Sequence, residues 1–155
     1  MGQCVRGTAV RTFHYAFHSL KWVSNFDRSR WFLVLNIKKP ARDEFNRLLN
    51  ACNHAVQRCG HQGLYTGGEG DGPMEGHRIL ESAKGGTFTQ DDRSAYFHVS
   101  IAWNLSEPDP EWISLIRNID ISKHIQSPEA AIDAVKVKMG NVVKSISLWR
   151  SEYPE

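Results

Sequence analysis

The amino-acid sequence predicts an α+β fold in a single domain spanning residues 1–155, and three patterns support this class. Residues 13–22 alternate between aromatic and other side chains, which is typical of a half-buried strand. Apolar residues recur every three or four positions between residues 40 and 60, which indicates an amphipathic helix. Residues 134–148 alternate on either side of a Gly-Asn pair, which indicates a β-hairpin. We therefore expect antiparallel sheets with flanking helices.

The first part of the chain is predicted to contain two strands and a long helix. Residues 25–29 read Asn-Phe-Asp-Arg-Ser and have the composition of a turn. Residues 13–22 and the apolar run 31–37 are therefore expected to form neighbouring strands. Pro40 follows, and proline is favoured in the first turn of a helix. The helix is predicted to begin at Pro40 and to end near Gly60.

Glycine dominates the next segment, because residues 60–86 contain nine of the twelve glycines. Their spacing matches neither the Walker pattern nor the dinucleotide-binding fingerprint. The composition therefore predicts a flexible loop over residues 60–94 and no phosphate-binding loop.

A third strand is predicted over residues 96–103, where the side chains alternate again. Positions two apart share one face of a strand, so three polar residues are expected on one face, namely Tyr96, His98 and Ser100. Trp103 is expected to pack behind this face.

The last part of the chain is predicted to contain a short helix and the closing hairpin. The helix spans residues 108–119 and opens with Pro-Asp-Pro. In the hairpin, residues 134–148, three lysines are expected to form a basic strand face, namely Lys136, Lys138 and Lys144.

His98 and Ser100 are the candidate catalytic residues. Histidine titrates near neutral pH and can therefore transfer protons, and a serine hydroxyl can hydrogen-bond a phosphate oxygen. This pair needs neither a metal nor a covalent intermediate. A His-x-Ser triplet also arises by chance, and a strand histidine often has a purely structural role. The catalytic interpretation therefore depends on the surrounding sequence.

Three blocks, in order along the chain, resemble the U6 small nuclear RNA phosphodiesterase family of the 2H phosphoesterase group. Residues 97–103, Phe-His-Val-Ser-Ile-Ala-Trp, resemble the second catalytic motif of that family. Residues 20–35 resemble the segment between its two motifs, especially in fungal members. Residues 135–146 resemble its closing hairpin, in which a lysine-rich strand precedes Gly-Asn.

The resemblance implies a 2H phosphoesterase-like fold and a metal-independent 3′-to-5′ RNA exonuclease that trims the oligouridine 3′ end of U6 small nuclear RNA. In that family each of two lobes supplies one His-x-Ser motif. One histidine takes the proton of the attacking 2′-hydroxyl, and the other protonates the leaving 5′-oxygen, which leaves a terminal cyclic phosphate or phosphate. The resemblance implies that His98 is the proton donor and that Ser100 binds the phosphate.

The chain departs from this pattern because only His98, among seven histidines, begins a His-x-Ser triplet. The first motif of the family lies upstream of the block that begins here near Phe13. The resemblance therefore implies a truncated first lobe and impaired activity. Two alternatives remain open: a non-catalytic protein that binds single-stranded RNA, and a phosphodiesterase that opens cyclic phosphates on small nucleotides.

Three further residues are candidates for substrate binding. Tyr96 is expected to share the strand face of His98 and could stack on a base. The resemblance places Phe26 in the turn that meets the terminal nucleotide. Arg30, in the same turn region, could contact a phosphate.

No cofactor and no metal are expected. The spacing Cys52-x-His54 followed by Cys59-x-His61 does not match the usual zinc patterns. The net charge of +2 is too small to indicate a partner class. No apolar run reaches transmembrane length, so no membrane partner is expected. The resemblance implies the uridine-rich 3′ end of U6 small nuclear RNA as partner, a monomer, and a nuclear location.

Overall fold

The computed structural model of the chain describes residues 1–66, 92–125 and 129–150, and its elements confirm the α+β class. Most of the loop predicted over residues 60–94 lies outside the described residues. The helices are α1 (Gly2–Gly7), α2 (Glu44–Gln57) and α3 (Pro110–Arg117). The strands are β1 (Phe13–Ser24), β2 (Trp31–Ile37), β3 (His98–Asn104), β4 (Glu129–Ile132), β5 (Ala134–Met139) and β6 (Val142–Ser147). Two 3₁₀ turns are also present, at Ser94–Tyr96 and Ile121–Lys123.

All pairings between these strands are antiparallel, as the sequence predicts. The hydrogen-bonding order is β3-β2-β1-β4, and β5 pairs with β6. Contacts within the chain define two compact units. Unit 1 comprises Met1–Ala16, Lys38–Leu64 and Ser127–Glu155, and unit 2 comprises Phe17–Ile37 and Tyr65–Gln126. The single domain expected from the sequence stays a prediction.

The core of unit 1 forms around the apolar stripe of α2. The ring of Phe45 meets the ring of Phe13 edge to face, with centroids 5.1 Å apart, and also meets Tyr15. Such aromatic pairs stabilise a core beyond the area that they bury. The buried apolar side chains of this core are Val5, Val10, Phe13, Leu48 and Leu148.

Helix α2 begins four residues later than the sequence predicts. Pro40 lies in a turn instead, in which the amide of Asp43 donates to the Pro40 carbonyl. Asp43 has a positive φ of 55°, a conformation that interrupts a helix, so the helix begins at Glu44. The helix ends at Gln57, and Gly60 follows with a positive φ of 78°.

The structure confirms the predicted closing hairpin but not the predicted basic face of three lysines. Met139 pairs with Val142, so two residues form the turn, and Gly140 takes the positive φ that such turns favour. Lys144 pairs with Val137. Because paired residues share a face and neighbours along a strand alternate, Lys144 lies on the opposite face from Lys136 and Lys138. The predicted face of three lysines was therefore wrong.

In unit 2 the central strand β2 lies between β1 and β3. Two register shifts interrupt the pairings. One leaves His18 unpaired in β1, and the other leaves Ile101 unpaired in β3. Each is a β-bulge, in which one extra residue reverses the alternation of the side chains that follow. These bulges decide which residues share a face near His98.

Candidate functional site

His98 is the first residue of β3, and its side chain is half-buried. The Nδ1 atom lies 2.8 Å from the backbone oxygen of Tyr96. A carbonyl oxygen only accepts hydrogen bonds, so Nδ1 carries a proton. In the neutral imidazole the Nε2 atom then has the free lone pair, and in the imidazolium it has the second proton. Nε2 is therefore the atom of His98 that can exchange a proton with a bound molecule.

Two polar residues continue the row of His98 across the sheet of unit 2. Asn36 pairs with His98, and Ser19 pairs with Asn36, so all three lie on one face. The Nδ2 atom of Asn36 donates to the Oγ atom of Ser19 at 2.8 Å. Asn36 is buried, and its amide is held by this bond. Its signal in the sequence is a single polar residue in the otherwise apolar run 31–37.

Ser100 lies on the same face as His98, as the sequence predicts. It pairs with Val34, which in turn pairs with Lys21, so a second row runs parallel to the first. Val34 is fully buried, whereas the Ser100 side chain is exposed. The Ser100 hydroxyl on β3 is therefore an accessible polar group of this face.

The bulge at Ile101 brings Trp103 onto this face. Ser100 pairs with Val34 and Trp103 pairs with Phe32, and these two β2 residues share a face because they are two positions apart. Trp103 was predicted to pack behind the motif, and that prediction was wrong. Its side chain is 63% exposed, so an indole surface is available beside the His98–Ser100 pair.

Tyr96 is not in the strand, contrary to the prediction. It ends the 3₁₀ turn Ser94–Tyr96, two residues before β3 begins. Its ring stacks on the ring of Tyr65, with centroids 4.9 Å apart and an angle of 24° between the rings. One face of the ring is therefore covered. The described contribution of Tyr96 to the site is its carbonyl oxygen, which holds His98.

Phe26 and Arg30 lie in the turn between β1 and β2, at the far end of the sheet from His98. The structure does not bring them together with the motif. Asn36 pairs with His98, and Arg30 lies six residues before it, about 20 Å away at about 3.3 Å per residue. Within the turn, Asp27 accepts hydrogen bonds from the Oγ and amide of Ser29, and these bonds lower the pKa of the Asp27 carboxyl.

The residues that the structure describes contain no group of three or more histidine, cysteine, aspartate or glutamate side chains that could hold a metal ion. Burial raises the pKa of the Cys52 thiol above its ordinary value of 9.0, which disfavours the thiolate that a metal needs. No helix within the described ranges is long and apolar enough to cross a membrane.

Comparison with known proteins corrects the family. A family model described as "HVSL: Uncharacterised conserved protein" matches residues 1–147, and no model of a 2H phosphoesterase or U6 small nuclear RNA phosphodiesterase family matches. The assignment to that phosphodiesterase family was therefore wrong, and so was the truncated first lobe that it implied. No curated protein and no solved structure matches the chain. Since the match covers most of its length, the chain belongs to the uncharacterised HVSL family.

Proposed function

We propose that this chain is a metal-independent phosphodiesterase of single-stranded RNA in which His98 transfers a proton through Nε2. The observation that carries the proposal is the bond between Nδ1 of His98 and the Tyr96 carbonyl. The bond occupies Nδ1, fixes the orientation of the ring and leaves Nε2 as the atom that can give a proton to a bound molecule.

In the proposed reaction the ribose 2′-hydroxyl attacks the adjacent 3′ phosphorus. A bond forms between the 2′-oxygen and phosphorus, and the bond to the 5′-oxygen of the leaving nucleoside breaks. His98 gives the Nε2 proton to that leaving oxygen, and water takes the proton of the 2′-hydroxyl. The products are a terminal 2′,3′-cyclic phosphate and a free 5′-hydroxyl.

The other residues on the face of His98 fit a ribonucleotide. The exposed hydroxyl of Ser100 can donate to a phosphate oxygen, and Lys21 adds a positive charge in the same row. Trp103 offers a surface on which a base can stack, a contact that contributes about 1–3 kcal/mol in other proteins. The name of the family, read as one-letter residue codes, also matches His98-Val99-Ser100 and differs at Ile101.

A single histidine supplies one acid–base group, so the proposed activity is low. General acid catalysis by a positioned side chain contributes about 10²- to 10⁴-fold, and a second His-x-Ser would contribute again. The uridine-rich 3′ end of U6 small nuclear RNA is the first substrate to test. That choice, the nuclear location and a 2H phosphoesterase-like fold came with the resemblance and stay predictions.

The test measures cleavage of oligouridine by the purified chain in excess EDTA. We expect slow release of 3′-terminal nucleosides, and no release when the attacking 2′-hydroxyl is replaced by hydrogen. His98→Gln removes the proton donor and should lower the rate about 10²-fold or more. His124→Gln, an exposed histidine of the same unit, is the matched control and should leave the rate unchanged. Cleavage that survives His98→Gln, or that EDTA abolishes, would contradict the proposal.

A second candidate function is RNA binding without cleavage, and the exposed indole of Trp103 favours it. The two functions differ in their response to substitution. If the chain only binds, Trp103→Ala should weaken oligouridine affinity about tenfold, at about 1.4 kcal/mol per tenfold, while no cleavage is detected in the wild type. Cleavage that requires His98 would exclude this candidate.

A further inference from the structure

The surface of unit 1 contains a cleft of about 540 Å³ with an unusual charge arrangement. We call it the arginine cleft because three arginines line it, namely Arg11, Arg42 and Arg47. Glu44 also lines it and lies between Arg42 and Arg47 in the sequence. Its volume falls within the range of small-molecule sites. All of these residues belong to unit 1, so the cleft is independent of the phosphodiesterase proposal.

Glu44 is the residue that indicates a ligand. Glu44 is among the residues that line the cleft and is only 8% exposed, and its Oε2 atom is buried without a hydrogen-bond partner. A carboxylate buried in this way costs stability, and native structures rarely retain such a group without a reason. A place in the first turn of α2 explains a negative charge there, because of the helix dipole. It does not explain why the oxygen is buried unpaired.

The neighbouring arginines do not pair with Glu44. Arg47 lies three residues further along α2, and its Nη2 atom donates instead to the Thr8 carbonyl at 2.5 Å. Arg11 and Arg42 are exposed, and no ion pair joins either of them to Glu44 within the described part of the chain. The cleft thus combines exposed cationic groups with a buried acceptor that has no donor.

A ligand complementary to this arrangement carries an anionic group and hydrogen-bond donors on opposite parts of one molecule. Arg11 and Arg42 suit a phosphate, since a guanidinium binds phosphate oxygens through two parallel bonds. Glu44 suits a pair of N–H donors, which rotation about its soft terminal bond can meet. Among the common bases only guanine presents two adjacent N–H donors, N1–H and the 2-amino group, to a carboxylate.

We propose that the arginine cleft binds a guanine mononucleotide, with its phosphate between Arg11 and Arg42 and its N1–H and 2-amino group donating to Glu44. Pro40 and Ala41, which also line the cleft, provide apolar surface for the base. The unpaired carboxylate is the part of the site that the ligand completes. Binding should therefore depend on the donor edge of the base as well as on the phosphate.

Titration calorimetry with the full chain tests the proposal, with guanosine monophosphate, inosine monophosphate and adenosine monophosphate as probes. Inosine lacks the 2-amino group, and adenine lacks both donors. A hydrogen bond to a charged group is worth about a tenfold change in affinity. We expect affinity to fall about tenfold from the guanine to the hypoxanthine nucleotide, and further for the adenine nucleotide.

Substitutions separate the two parts of the ligand. Glu44→Gln should abolish the preference for guanine over adenine, and Arg42→Met should weaken all three nucleotides alike. Glu111→Gln, at an exposed glutamate of α3, is the matched control and should change neither.

Three results would overturn the proposal. They are no binding of guanosine monophosphate at millimolar concentration, equal affinity for the guanine and adenine nucleotides, and a guanine preference that survives Glu44→Gln. A purely structural Glu44 would change the melting temperature and leave the ratio of nucleotide affinities as it was.

Discussion

Strands β2 and β3 are neighbours with similar composition, yet they differ sharply in burial. Five of the seven β2 residues are buried, whereas the last five residues of β3 are all exposed. Both sequences are rich in apolar side chains, Trp-Phe-Leu-Val-Leu-Asn-Ile and His-Val-Ser-Ile-Ala-Trp-Asn. The difference follows from position, because β2 has a partner on each side while β3 pairs only with β2 among the described strands. An apolar strand sequence thus predicts pairing but not depth.

The largest expected effect compares one apolar residue from each strand. Leu35 is buried in β2, and Ile101 is 52% exposed in β3. Leu35→Ala should lower the free energy of unfolding by about 2–5 kcal/mol, since it removes buried methylenes and leaves a cavity. Ile101→Ala should lower it by about 0.5 kcal/mol or less. Urea denaturation monitored by tryptophan fluorescence measures both. Equal losses in the free energy of unfolding would show that Ile101 is buried in solution and that β3 is therefore packed against another surface.

A pair of asparagines gives a smaller effect of the same kind. Asn36 is buried and its side chain donates to Ser19, whereas the exposed side chain of Asn104 bonds to its neighbours Leu105 and Ser106. Asn36→Ala should cost about 1–3 kcal/mol, because it removes a buried side chain and leaves the half-buried Ser19 hydroxyl without this partner. Asn104→Ala should cost about 0.5 kcal/mol or less. If Asn104→Ala proves the more costly change, the depth assigned to the two strands is wrong.

Trp103→Lys is expected to have the smallest effect on stability of the three comparisons and a measurable effect on solubility. Trp103 is exposed on an edge strand, and Trp112 and Leu115 of α3 are exposed as well. Exposed apolar edges promote association between chains. Trp103→Lys should therefore change the free energy of unfolding by less than about 1 kcal/mol but raise the soluble concentration about twofold or more. Light scattering against concentration measures the association. If the variant associates as strongly as the wild type, Trp103 is not part of the surface that causes association.

Local patterns predicted most of the elements that the structure describes. The alternation in β1, the apolar run of β2, the Pro-Asp-Pro start of α3 and the Gly-Asn turn of the hairpin all acted through residues close in sequence. Helix α1 and strand β4 were not predicted. The first is only six residues long, and the second, Glu-Ala-Ala-Ile, has little β propensity and depends on its pairing with β1.

The candidate site could be predicted only in part, because some of it depends on pairing between distant segments. His98 and Ser100 share a face as their spacing predicts, since no bulge lies between them. Asn36 and Ser19 join them through strand register, which one sequence does not reveal. Tyr96 and Trp103 were misplaced for local reasons, a 3₁₀ turn before β3 and a bulge within it, and neither has a clear compositional signature.

The bulge at Ile101 has a consequence for how this segment can vary. A strand presents its residues in steps of two, so one additional residue acts like a change of reading frame for every side chain beyond it. The face shared by Ser100 and Trp103 is thus specified by the pairing of β3 with β2, in which Ile101 is left unpaired. Removal of Ile101 would leave Ala102 opposite Leu33 and Trp103 opposite Phe32 in a regular ladder, so the indole would stay on the face of the histidine. A regular ladder that retained Ile101 would pair it with Leu33 and turn the indole to the opposite face. Within this stretch of β3, register carries the information that side-chain identity carries elsewhere.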